Sequence, residues 1–196
     1  MKSYAKVKIL ILSILIAFSF VGCNEHLLTP SFNKAMDNSE QLYTKQNIRY
    51  LTSRRGQRVA DAIDYDSGFI IPVNTAIVLD DVDDNYIVFI KDSREFILKN
   101  NERYTGMGTA QAATQFFSRT KVDLSKFNKA DMQAINKAEA VIGASKEAIL
   151  VAKGYPPALY TASINLDEWT YYKKQRGSSY TIIFKNNVVA DIVDKF

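Results

Sequence analysis

The sequence predicts an α+β protein: a small β-rich module over residues 47–100, a helical connector over 101–127, then two helices and a three-stranded antiparallel meander over 128–196. Three observations carry this. Short apolar runs of period two recur between turn-forming clusters in the first half, which is the cadence of strands. Asn128 with Asp131, and Ser145 with Glu147, are helix-start signals placed before stretches of helical period. Finally, Trp169 and Tyr171 alternate with Thr170 and Tyr172, and Tyr180, Ile182 and Phe184 alternate with Thr181 and Ile183, before Asn186-Asn187. Asparagine tolerates the positive φ that a two-residue hairpin demands.

At the N-terminus, Lys2, Lys6 and Lys8 precede an apolar run over 9–21 that ends at Gly22-Cys23. The run is too short and too early for a spanning helix and has the layout of a secretory signal. Phe20, Val21, Gly22 and Cys23 resemble a lipobox, so residues 1–22 are expected to be a lipoprotein signal peptide, with Gly22–Cys23 the cleaved bond and Cys23 the palmitate-bearing lipidation site. Cys23 is also the only cysteine, which excludes an internal disulfide. Removing the signal leaves 22 basic against 21 acidic residues, a formal charge near +1 in place of +4. The basic balance belongs to the signal, and no nucleic-acid partner is expected. Arg54, Arg55 and Arg58, the one basic cluster, read as a solvated turn.

Residues 23–46 are polar, contain Pro30 and show no sustained period; they read as a flexible tether. The single histidine, His26, and an S-x-x-K match at Ser31 and Lys34 fall there, without the partner motifs such a nucleophile needs. Over 47–100, NIRYLT, FIIPV, TAIVL, YIVFI and EFILK alternate with SRRGQ, DYDSG, DDVDDN and KDSR, the pattern of a small barrel or curled sheet closing on itself. Asp80, Asp81, Asp83 and Asp84 flank a turn but do not spell a calcium loop; no metal site and no cofactor is expected.

In the connector, Thr109 is placed to cap AQAATQFFSR, with Phe116 and Phe117 turned to the preceding sheet. In the next helix Met132, Ile135, Ala138 and Ile142 fall on one face. Ser145 then caps a helix whose first turn carries Glu147, where a carboxylate complements the macrodipole, and whose apolar face is Ala148, Ile149 and Ala152. Gly154 ends it, and Pro156 and Pro157 prevent its resumption. Turns at RGSS, 176–179, and at Asn186-Asn187 separate three strands, the last over 188–193.

The succession of Gly143, Ser145, Glu147, Gly154, Pro156, Trp169, Tyr171, Phe184 and Val188 resembles the BamE/SmpA/OmlA family of small bacterial outer-membrane lipoproteins over the last third of the chain. Ala144 stands where the family usually has Met or Leu, and a long stretch before the match has no counterpart in its short members. The resemblance implies a BamE-like ααβββ domain over 128–196, an outer-membrane, lipid-anchored location facing the periplasm, and work beside the β-barrel assembly machinery. Within the first module, GFIIPVNTAIVLDD resembles bacterial SH3-like domains.

Catalysis is not expected, since acid–base or nucleophilic work needs a positioned His, Cys, Lys or carboxylate pair, and the single His and Cys both lie at the tether. The function read from the residues and the resemblance is a non-catalytic outer-membrane lipoprotein acting as accessory or scaffold, with outer-membrane assembly proteins as partners and no small-molecule substrate. The alternative is a periplasmic binding module in which the 47–100 unit grips a peptide or a cell-wall glycan, or an inhibitor-like binder of a protein partner, since ααβββ order also resembles the halves of β-lactamase inhibitor proteins. Tyr172, Tyr155 and Tyr180 are the candidate interface residues, because tyrosine offers large contact area with few torsions to freeze. Gly143, Ser145, Gly154, Pro156, Trp169, Tyr171 and Phe184 are read as structural, with Trp169 in the core and Tyr172 on the opposite, outward face. Separate cores are expected for the two modules, so that 122–196 would fold alone.

Overall fold

The structure is a computed structural model that describes residues 40–173 and 178–195. Its first half is strand because β-branched and aromatic residues recur at every second position, which lets one face be buried and the other wetted. The strands β1 (Gln41–Thr44), β2 (Ile48–Thr52), β3 (Arg58–Asp61), β4 (Phe69–Ile71), β5 (Ala76–Val82), β6 (Tyr86–Lys91), β7 (Arg94–Lys99) and β8 (Phe117–Ser118) form one curled sheet in the order β4-β2-β3-β7-β6-β5-β1-β8. Only β3 and β7 run parallel. Leu42, Ile77, Ile87, Phe89 and Leu98 point into the first core, which α2 (Thr109–Phe116) covers with Ala112, Ala113 and Phe116. The single-turn helix α1 (Glu102–Thr105) precedes it.

Several expectations change here. The sheet does not close into a barrel: β4 and β8 are its two edges. The tether, expected to reach 46, gives way to β1, because Leu42 and Thr44 are buried and Gln41, Leu42 and Tyr43 pair with β5. Strand β3 has no apolar run to announce it, yet it lies mid-sheet between β2 and β7. Thr109 is the first residue of α2 and not its cap; Gly108 holds the cap position, and the Thr109 hydroxyl donates to the Asp84 carbonyl at 2.6 Å. Phe116 and Phe117 both reach the first core as expected, but Phe117 does so from β8.

In the second half α3 (Lys129–Lys137), α4 (Lys146–Lys153), β9 (Glu168–Tyr172), β10 (Ser179–Lys185) and β11 (Val188–Lys195) follow in ααβββ order, the strands forming an antiparallel meander β11-β10-β9. Asn128 and Asp131 form a reciprocal capping box at the start of α3. The other oxygen of buried Asp131 accepts the Ser145 N–H at 2.6 Å, while Ser145 Oγ accepts from Ala148 N–H. One carboxylate thus ties together the starts of both helices. Ala138 in the left-handed conformation ends α3 at Lys137, so Ile142 is off the helix and exposed, outside the stripe expected for it. Asn186 and Asn187, at φ 54° and 63°, make the β10–β11 turn. Arg176 and Gly177 of the other turn lie outside the described residues.

The far ends of the helices are held by the first module. Asn47, just before β2, donates its N–H to Val151 O at 2.9 Å, and its side-chain amide donates to Ile135 O and Ala152 O at 2.7 and 3.2 Å. The same amide oxygen accepts the Val73 N–H at 2.9 Å, and Arg49 donates to Ala138 O. Carbonyls at the end of a helix run short of partners within it, and here Asn47 and Arg49 supply donors. Tyr65 and Val73 also sit in the second core beside Trp169, Tyr171 and Ile182. The second core is therefore shared between the two halves, while the first is built from residues 42–117 alone.

Two outcomes follow from this packing. Asn47→Ala should cost about 2–4 kcal/mol in urea unfolding, because it leaves buried carbonyls and an amide unpaired, and the fragment 122–196 alone should lack a cooperative transition. Trp169 is 1% exposed, packs on Phe184 with ring centroids 4.6 Å apart, and donates its indole N–H to Leu166 O at 3.0 Å. Trp169→Ala should cost about 3–5 kcal/mol, measured the same way.

Candidate functional site

The polar groups of the molecule converge where the two halves meet. Lys153 is the last residue of α4, and its side chain is 2% exposed. Its Nζ donates to Tyr65 O at 3.1 Å and to Asp66 Oδ1 at 2.9 Å, and it lies 5.3 Å from the centroid of the Tyr180 ring. Burial lowers its pKa, and Asp66 opposes that shift. Tyr65 meets Tyr171 edge to face at 4.8 Å, and Tyr171 stacks on Tyr180 at 5.7 Å. The Tyr65 hydroxyl donates to Tyr155 O at 2.8 Å and the Tyr171 hydroxyl to Gly154 O at 2.9 Å. The Tyr180 hydroxyl has no hydrogen-bond partner among the described residues. Desolvation pushes all three phenols well above their ordinary value of 10.0, with nearby carboxylates adding to the effect on Tyr65 and Tyr180. Enclosed and anchored in this way, the ammonium acts as a clamp between the end of α4 and the 65–66 segment.

Of the three expected interface tyrosines, one is buried and one is half-covered. Tyr180 is 5% exposed, because its register opposite Tyr171 turns it toward the helices. Tyr172 does face away from Trp169 but is half-buried, lining a cleft of about 150 Å³ with Asp61, Ile63 and Asp64 of the first module. Only Tyr155 keeps a free ring, 37% exposed.

Tyr155 sits on an open groove of about 340 Å³ where residues 45–46 just after β1, the end of α2, the 122–126 segment and α4 come together. Leu150 and Val151 give it apolar lining, Gln46 and Gln115 supply amides, and Lys126 pairs with Glu147 along it. Lys45 donates to Thr114 O at 3.0 Å, and burial lowers its pKa. Gly154, at φ 83°, holds a positive-φ conformation that favours glycine, and a Cβ there would stand 2.5 Å from Gln46 Nε2, so that side-chain end would have to move. Lys45 and Gln46 belong to the expected tether, where no periodicity marks them. Tyr65 and Lys153 carry no sequence signal that separates them from a surface tyrosine and an ordinary helix-terminal lysine.

Compared with protein-family models, curated proteins and solved structures, the chain matches none of them. No helix among the described residues is long and apolar enough to cross a membrane. Asp83 accepts from the N–H groups of Asn85 and Tyr86, which accounts for its place at an acidic turn, and no three ligating side chains converge among the described residues. Gly22, Cys23, His26, Ser31 and Lys34 lie outside the described residues.

The junction sets a pH dependence. Each of the three phenols ionises in the unfolded chain near pH 10 but stays protonated when folded, so the stability it contributes is intact below that pH and falls above it by about 1.4 kcal/mol per pH unit. Lys153 has the opposite sign: its folded pKa is below 10.5, so its burial penalty is relieved as pH climbs toward that value. Urea midpoints should therefore drop steeply beyond pH 10, and Tyr180→Phe should flatten the drop. The same change should raise stability at neutral pH by about 1 kcal/mol by removing an unpartnered hydroxyl, whereas Tyr171→Phe should lower it by about 1 kcal/mol.

Proposed function

We propose that this chain is a non-catalytic, lipid-anchored lipoprotein of the bacterial outer membrane, facing the periplasm, that works as an accessory or scaffold in outer-membrane protein assembly. In this reading Cys23 carries the lipid, the first module is an opened SH3-like sheet, and 128–196 is a BamE-like unit. The observation that carries the binding role is the groove at Tyr155. Its wall is rigid, since the Tyr155 carbonyl is held by Tyr65, Gly154 by Tyr171, and Asn47 by both helices. A preorganised surface loses less freedom when an extended segment of a partner settles into it. A periplasmic module for cell-wall glycan is the second reading, favoured by the Gln46 and Gln115 amides beside an exposed ring.

A photoreactive residue in place of Tyr155, activated in intact cells, tests the reading. Crosslinks to outer-membrane assembly proteins are the expected result; crosslinks to the sacculus would favour the glycan reading, and none to either would remove the groove from function. The same residue at position 172 should crosslink poorly. For the anchor, Cys23→Ser should abolish palmitate labelling and leave an uncleaved precursor, and labelling that persists would reject Cys23 as the attachment site.

A further inference from the structure

The three-stranded sheet has two edges, and they are treated differently. Along β9 the outward N–H of Thr170 is taken by Thr161 Oγ1 at 2.9 Å, so the middle of that edge is covered. Along β11 the first part is covered as well, since Gly143 N–H donates to Val189 O and Val189 N–H to Ala144 O, both at 2.8 Å. Beyond Ala190 no strand among the described residues borders it.

The hairpin register says which backbone groups this open stretch presents. Phe184 directs its N–H toward β9, to Asp167 O, so Ile182 and Tyr180, two and four residues away, do likewise. Their β11 partners, Ile192 and Asp194, therefore turn N–H and C=O outward. Among the described residues the Ile192 N–H meets the neighbouring Asp191 carboxylate, at 2.8 Å. Asp191, Val193 (39% exposed) and Lys195 share the solvent-facing side of the strand, with no proline among them. An edge of this kind is a template for another strand.

We infer that the second strand is β11 of another copy of this chain, paired antiparallel to make one continuous sheet across a two-fold axis. Three registers can join the outward-facing residues. Asp194 is already paired with Lys173 within its own chain, so setting it opposite the second copy's Asp194 gains no opposite charge across the axis and faces like with like. Ile192 opposite Ile192 places Val193 against Asp191. In the remaining register, Ile192 and Asp194 exchange backbone hydrogen bonds, Val193 meets its own counterpart on the axis, and Asp191 lies opposite Lys195 on both sides. That register alone matches opposite charges, and it does so because the strand reads Asp-Ile-Val-Asp-Lys around Val193. An isologous contact of this kind closes on itself as a dimer.

Sedimentation equilibrium of the purified full chain in density-matched detergent tests this. The contact is small, so dimer should accumulate with concentration over roughly 10 μM to 1 mM. Asp194→Pro removes one outward N–H and leaves the β10 ladder intact, so this variant should remain monomeric throughout. Asp191→Lys should weaken association about tenfold by facing lysine with lysine, and Asp191→Lys with Lys195→Asp should restore it. A wild-type protein that stays monomeric, an Asp194→Pro variant that dimerises normally, or a double exchange that fails to restore association would each overturn the assignment. The exchange variants keep the test independent of whether proline perturbs the hairpin.

Discussion

Much of this molecule depends on what one amide does. Asn47 stands at the entrance to β2 with its side chain in the space where α3 and α4 end, and a primary amide is the group that fits, having two donors for two carbonyls and an acceptor for a backbone N–H. Aspartate in its place would oppose a charge to both carbonyls, and leucine would satisfy none of the groups. At the other ends of the same helices, Asp131 reaches the caps of both. The pair of helices is thereby fixed at two levels, one internal to the second half and one supplied by the first.

That arrangement explains why the chemistry gathers at the junction. Once Asn47 has drawn the 46–49 segment against α4, the 65–66 segment falls over the end of the helix, and Lys153 must either be buried or displace it. It is buried, with Asp66 and a carbonyl offsetting its desolvation. The ring stack of Tyr65, Tyr171 and Tyr180 fills the remaining space with apolar surface, and two of its three hydroxyls find carbonyls. What remains outside is a groove whose shape is set by groups unable to move independently.

The local devices of the second half were legible in the sequence because each is self-contained. The Asn128–Asp131 box, the Ser145 cap, the Gly154 stop and the Asn186-Asn187 turn need only neighbours in the chain. The strand alternation also placed Trp169 inside, as it did Tyr171. What could not be read were pairings between distant segments. Strand β1 is polar in composition and counts as strand only because β5 and β8 lie beside it. Arg58, Val59, Ala60 and Asp61 of β3 are central through a parallel pairing with β7. Tyr172 obeys its period and still loses its open face, since the cover comes from Asp61, Ile63 and Asp64, more than a hundred residues earlier. Tyr180 shares a face with Ile182 and Phe184, and its register opposite Tyr171 is what turns that face to the Trp169 side.

The parallel pairing of β3 with β7 and the reach of Asn47 to Ile135 and Ala152 also bear on how the chain acquires its structure. Contacts so far apart in sequence form late and close large loops, which slows folding relative to a chain built from local pairings. Until α4 and the C-terminal hairpin arrive, Tyr65 and Val73 have nowhere to go but water or another chain. A chain organised in this way closes its first core from its own first half, while the two residues it lends to the second core wait until its last half is present.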